Sequence, residues 1–319
     1  MRIDLTERRR LGRRGPEVTR IGLGCAPIGN LFRSVSDDEA HATVSAAFDA
    51  GIRFFDTAPL YGHGLSERRL GAALAGRDRD SFVLATKVGR LLRPLESATA
   101  DTIFVDIPSE VPVFDFSRDG TLRSIEESLT RLGIDRLDVV HVHDPDDHQD
   151  EALHGAFVAL CRLRDEGVIG AVGCGMNQVA ALRRFVDEVD LDCILLAGRH
   201  TLLDHGPADE LLDDCLRREI GVILGGVFNS GLLADPDQSP MFDYAPASNE
   251  LVARTRHLRE VAARHDTPLA AAALGFALRH PATTSVVVGA RSAREIADDV
   301  RLAGLEIPDA LWDDVLRRE

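Results

Sequence analysis

The chain has 319 residues, 45% of them apolar, and a formal net charge of −15. That charge is opposed to the positive footprint a duplex-binding protein presents to phosphates, and equally to attraction by anionic lipid. Cys25, Cys161, Cys174, Cys193 and Cys215 are scattered, odd in number and form no C-x-x-C pair, which excludes a disulfide framework or a zinc ribbon and predicts reduced thiols in a cytoplasmic protein.

The N-terminal stretch has no apolar core of a secretory signal, and no apolar run is long enough to span a bilayer. Arg8-Arg9-Arg10 and Arg13-Arg14 allow a nucleic-acid arm; with Gly12 and Gly15-Pro16 as turn residues in an acidic chain they are read instead as a short solvated hairpin.

Short apolar, β-rich runs then alternate with amphipathic stretches. Eight strands are predicted, at 19–26, 52–58, 82–87, 137–143, 171–175, 193–198, 221–226 and 285–290. Ser36-Asp37-Asp38-Glu39 opens a helix after the first, with acids in its first turn, and Ser292 to Arg301 reads as another. The stretch Leu91 to Asp119, with Pro94, Pro108 and Pro112 and little periodicity, reads as a long rim or lid loop between the third strand and its helix. Eight β/α units point to one α/β domain over 1–319, a (β/α)8 TIM barrel with a short N-terminal hairpin and long βα loops. A doubly wound sheet is the alternative, but Pro27 spoils the G-x-G-x-x-G spacing after Gly22-Leu23-Gly24.

In such a barrel the reacting groups stand at the C-terminal ends of strands. Here the second strand ends in Asp56, with Tyr61 just beyond; the third ends in Lys87 and the fourth in His143. Lys87 is the only lysine in the chain and Tyr61 one of two tyrosines. A phenol titrates near ~10, and a lysine cation beside it is expected to lower that by roughly one to three units, with Asp56 as the lysine's counter-ion. His143 would orient a substrate oxygen while Tyr61 acts as general acid or base. His141-x-His143, with Asp144 and Asp146 near, raises a zinc site as a rival; the lack of a further histidine cluster argues for no metal, with His141 filling the barrel.

These residues resemble the aldo-keto reductases. The segment Arg53 to Gly62 is similar to that family's catalytic Asp and Tyr segment, Ala85-Thr86-Lys87 to its lysine strand, and Leu137 to Pro145 to its histidine strand. The resemblance covers nearly the whole chain and implies metal-free hydride transfer between a nicotinamide and a carbonyl or alcohol carbon. The stretches 114–120, 173–178 and 225–233 resemble the sugar-oxidising branch, which includes L-fucose, D-threo-aldose and galactose 1-dehydrogenases and a pyridoxal dehydrogenase. That resemblance implies oxidation of an aldose at C1 to a lactone.

It also implies a cofactor site. Cys25 lies beside the first strand's end, and Met176 or Asn177 would meet the carboxamide. Phe228, Asn229, Ser230, Gly231 and Leu232 would close over the pyrophosphate through free backbone N–H groups. Gly289, Arg291, Glu295, Asp298 and Asp299 match the adenosine end. Glu295 and Asp299 stand where the family often has Gln and Asn, so NAD is expected over NADP, although Arg291 and Arg294 pull the other way. Asp144 replaces the Trp many members carry after the histidine, and with Phe32 and Arg199 is expected to face the substrate. The expected partner is a small sugar or aldehyde, with no nucleic acid and no membrane; a general aldehyde reductase, a pyridoxal dehydrogenase and a cofactor-binding regulatory module are the other readings.

Overall fold

The computed structural model describes residue 4, residues 7–94 and residues 103–316. Two short strands come first, β1 (Arg8–Arg10) and β2 (Glu17–Thr19), paired antiparallel. This is the expected hairpin, with Gly12 at φ 69° in its turn. Arg13 and Arg14 pair with Asp190, and Arg14 also with Asp192, so this basic run is held against the chain's own acids. Leu11 and Val18 from the hairpin pack on Phe54, Ala85, Val139 and Ala171, closing the N-terminal end of the barrel.

The barrel strands are β3 (Ile21–Gly24), β4 (Phe54–Asp56), β5 (Val83–Val88), β8 (Leu137–His143), β9 (Ile169–Met176), β10 (Cys193–Ala197), β11 (Gly221–Gly225) and β14 (Thr283–Gly289). They are parallel and close in the order β3-β4-β5-β8-β9-β10-β11-β14. All eight coincide with the expected runs. The helix of Asp37–Asp49 starts with a capping box in which Ser36 and Glu39 satisfy each other's backbone, as the sequence signals. The helix of Ala293–Ala303 is capped by Ser292.

The stretch expected as a plain loop is different. It contains an antiparallel ribbon of β6 (Arg90–Pro94) and β7 (Glu110–Phe114). Pro94 and Pro112 hide it from a strand reading, yet a two-stranded ribbon has an open edge on each strand where a missing N–H is harmless. Residues 95–102 lie outside the described part. A second ribbon, β12 (Met241–Phe242) and β13 (Ala245–Pro246), follows β11. Its two turn residues, Asp243 and Tyr244, both have positive φ, 48° and 62°, the geometry of a tight hairpin turn.

Side-chain alternation places the site. Phe54, Ala85 and Val139 point into the barrel, so Asp56, Lys87, His141 and His143 do too. Opposite them β9 supplies glycines. A Cβ on Gly173 would lie 2.2 Å from His141 Nδ1, and one on Gly175 3.6 Å from Lys87 Cε. The missing side chain of Gly173 makes the room His141 occupies, whereas at Gly175 a Cβ would make only an ordinary contact with Lys87.

Candidate active site at the barrel mouth

Lys87 is 1% exposed and donates to Asp56 Oδ2 at 2.7 Å and to the Thr57 carbonyl at 2.9 Å. Its ammonium lies 4.6 Å from the centre of the Tyr61 ring. The His143 ring meets Tyr61 edge-on at 5.8 Å. The four side chains therefore converge on one buried point, as their strand-end positions predict.

The electrostatics differ from expectation at Tyr61. Burial pushes the phenol well above its ordinary value, and Asp56 adds to this. The anticipated lowering by Lys87 does not prevail, because the ammonium is already neutralised by Asp56 at contact distance. The protein groups by themselves thus hold Tyr61 protonated at neutral pH. Burial also lowers His143 well below the usual range, helped by the Arg90 and Lys87 charges, so its imidazole is neutral. Asp56 is pushed up by burial and pulled back by Lys87.

His141 is fully buried, with neither ring nitrogen partnered, and is lowered to about 3 by burial and Lys87. It fills the barrel. No group of three His, Cys, Asp or Glu residues placed to hold a metal ion occurs among the described residues.

Around this centre the structure places Cys25 in full burial, its N–H on the Asp56 carbonyl at 2.8 Å. Met176 is buried at the end of β9, and Asn177 is half-buried. In the segment after β11 the backbone N–H groups are mostly not free, contrary to expectation. Those of Asn229, Gly231 and Leu232 bond Gly226, Phe228 and Asn229 carbonyls inside the turn. The Ser230 N–H has no partner among the described residues, and Asn229 Oδ1 is buried without one. Phe228 is half-buried.

At the far end of the groove Gly289 is exposed, and Arg291 Nε is buried without a partner. Glu295 is engaged: its Oε2 accepts the Arg291 N–H at 2.8 Å. Asp299 is pushed up to about 7 by burial and by Glu295 and Asp298. Asp298 stands near Arg294 and Arg301, and the Arg294 side chain is 91% exposed.

Of the expected substrate contacts, Arg199 is held by Asp243 through two hydrogen bonds, 2.9 and 2.7 Å, which ties the β12–β13 turn to the end of β10. It is a tether rather than an open cation. Phe32 reaches across the mouth to the Tyr244 ring, 6.0 Å away. Asp144 sits beside His143, with Oδ2 3.4 Å from Nε2. Three residues not foreseen join the site: Tyr244 over the mouth, Phe104 6.3 Å from the Tyr61 ring, and Arg90 beside Asp144. The rarity of tyrosine was a signal for Tyr244; Phe104 and Arg90 carried none.

A cavity of about 800 Å³ opens elsewhere, among His200, Arg254, Phe276 and Arg279. His200 there is lowered to about 3 by burial, and among the described residues no buried Lys–carboxylate pair like that of Lys87 and Asp56 stands beside it. The mouth, with its buried pair and shifted groups, is therefore the candidate site.

The sequence matches the aldo/keto reductase family over residues 20–316. It is 45% identical to a D-threo-aldose 1-dehydrogenase of Pseudomonas sp. over 306 residues, 93% of each chain. It is 39% identical to a pyridoxal 4-dehydrogenase of Microbacterium luteolum, covering 98% of this chain and 97% of that one. Among solved structures, a holo-form aldo-keto reductase of Bacillus halodurans superposes with a TM-score of 0.78 at 25% identity, covering 98% and 97% of the two chains.

Proposed function

Because the chain belongs to the aldo/keto reductase family, we propose that it is an NAD(P)-dependent aldose 1-dehydrogenase, oxidising a sugar hemiacetal at C1 to a lactone. The observation that carries this reading is the buried Lys87–Asp56 pair beneath the Tyr61 ring, with a neutral His143 edge-on to it. The similarity to a D-threo-aldose 1-dehydrogenase supports the substrate class.

A nicotinamide held by the residues named below would supply the hydride chemistry at C1. Tyr61 handles the proton. In reduction its hydroxyl, held protonated by burial, donates to the carbonyl oxygen. In oxidation the same oxygen takes the proton of the C1 hydroxyl only as the phenolate, after the phenol has released its own proton to solvent, so this direction is favoured by high pH. Lys87, fixed by Asp56 and the Thr57 carbonyl, stabilises the negative charge that develops on either oxygen. The neutral His143 ring donates an N–H to the reacting oxygen and sets its angle. Phe32, Phe104 and Tyr244 shield the centre from water.

The residues present fit a dinucleotide. Two polar atoms, Asn229 Oδ1 and Arg291 Nε, are buried without partners on the β11 and β14 side of the mouth, where unsatisfied groups call for a ligand. Met176 or Asn177 would meet the carboxamide, Phe228–Leu232 the pyrophosphate, chiefly through the Ser230 N–H and Asn229, and Gly289, Arg291, Glu295, Asp298 and Asp299 the adenosine end. Cys25 would flank the nicotinamide. The Glu295, Asp298 and Asp299 carboxyls disfavour a 2′-phosphate, so NAD is the preferred cofactor.

The test is formation of reduced nicotinamide from L-fucose, D-arabinose and D-galactose with NAD+ and with NADP+, on wild type and Tyr61→Phe. Expected are turnover of at least one aldose, a higher kcat/KM with NAD+, and a loss of roughly 10² to 10⁴ in kcat for the variant with cofactor binding retained. Turnover of none of these sugars, or a normal Tyr61→Phe, overturns the reading.

A further inference from the structure

The charged pair Arg90 and Asp144 takes no part in the proton and hydride chemistry, yet both residues touch His143 at the mouth. The chain leaves β5 through Gly89, at φ 105°, where any Cβ would lie 2.2 Å from the Phe116 ring. That turn brings the Arg90 side chain back over the mouth, where it is 11% exposed. Its Nη1 donates to the His143 carbonyl at 2.9 Å, its Nη2 lies 3.4 Å from Asp144 Oδ2, and its guanidinium covers the Phe114 ring at 4.8 Å.

Asp144 is held from the other side. Its backbone sits at φ 41°, a conformation a non-glycine residue adopts at a cost, and its N–H bonds the Gly175 carbonyl at 3.0 Å. One oxygen, Oδ2, is shared at 3.4 Å between Arg90 and His143 Nε2. Oδ1 makes no hydrogen bond among the described residues. Arg–carboxylate pairs are frequently short and two-pronged. This one is long and single, and it leaves acceptor capacity on a carboxylate that has roughly four acceptor sites.

We infer that Arg90 is a positioning residue for substrate specificity: it holds the Asp144 carboxylate beside His143, where its open oxygen accepts a hydroxyl next to the reacting carbon. The pair is neutral overall, so it favours an uncharged polyhydroxylated substrate over an anionic one. Asp144 is 35% exposed, so its free oxygen is open to the mouth, and a carboxylate placed to receive a hydroxyl favours a substrate that carries one over an analogue that lacks it. This rests on the reading of the site given above and adds the group that reads the sugar.

The experiment compares glyceraldehyde with propanal in the reductive direction, and L-fucose in the oxidative one, for wild type, Arg90→Gln, Arg90→Lys and Asp144→Asn. The expected result for Arg90→Gln is a fall of about tenfold to a hundredfold in the glyceraldehyde-to-propanal ratio of kcat/KM, the range for a lost charged hydrogen bond. The change falls mainly on the KM for glyceraldehyde. Arg90→Lys recovers part of the ratio. Asp144→Asn lowers it as much as Arg90→Gln does, and the double variant falls no further, as for two residues acting as one unit. Should Arg90→Gln fail to fold, the ratio for Asp144→Asn decides alone. An unchanged ratio, or a loss confined to kcat and equal for both aldehydes, overturns the inference. A wild type that turns over none of the three substrates overturns the functional reading first, and the inference with it.

Discussion

Asp56→Asn isolates the charge at the centre of the site. The substitution is nearly isosteric: Oδ2 still accepts from Lys87, and the new amide nitrogen takes the place of Oδ1, which has no partner. What is lost is the counter-charge of an ammonium that is 1% exposed. Removing one partner of a buried pair costs about 3–5 kcal/mol if the other stays charged. With unfolding entropy of about 2.1 cal/mol/K per residue over 319 residues, a loss of ~4 kcal/mol lowers Tm by about 6 °C.

Urea unfolding followed by circular dichroism measures the deficit relative to wild type. A deficit below ~1 kcal/mol would refute the picture of a buried, mutually neutralised pair.

Three further outcomes are expected. Gly173→Ala puts a methyl 2.2 Å from His141 Nδ1 and 2.8 Å from Cys193 Sγ; it destabilises by about 1–3 kcal/mol in thermal unfolding, and the same substitution costs less in a His141→Ala background. Tyr61 is raised, so its acid form survives to high pH: kcat for carbonyl reduction stays level through neutral pH and falls only when the phenol titrates, while aldose oxidation increases with pH. A reductive profile that falls between pH 6 and pH 8 would contradict this placement of the phenol. Asp299 is pushed up to about 7, so as an acid kept neutral by burial it destabilises the fold as pH rises from about 4 through 7. Asp299→Asn is expected to raise Tm at pH 8 and to leave it unchanged at pH 4; equal shifts at both would tell against it.

Much of this protein is legible in its sequence. The eight strands are, because each alternates or runs apolar over a few residues, bounded by Gly, Pro or charge. The Ser36 and Ser292 caps are, because a helix start is a local pattern. Asp56, Lys87 and His143 are, because a period of two along a strand carries inward-pointing Phe54, Ala85 and Val139 on to the residues that end at the mouth. Other features depended on the tertiary structure. The β6–β7 ribbon is masked by its prolines, and the turn that brings Arg90 to Asp144 depends on Gly89 packing against Phe116. The direction of the Tyr61 shift, and the engagement of Arg199 by Asp243 and of Glu295 by the Arg291 N–H, were decided by partners distant in sequence or by backbone already bonded. Strand position is fixed by neighbours two residues away, whereas a charge's field is the sum over everything the fold packs around it, and that sum exists only once the barrel has closed.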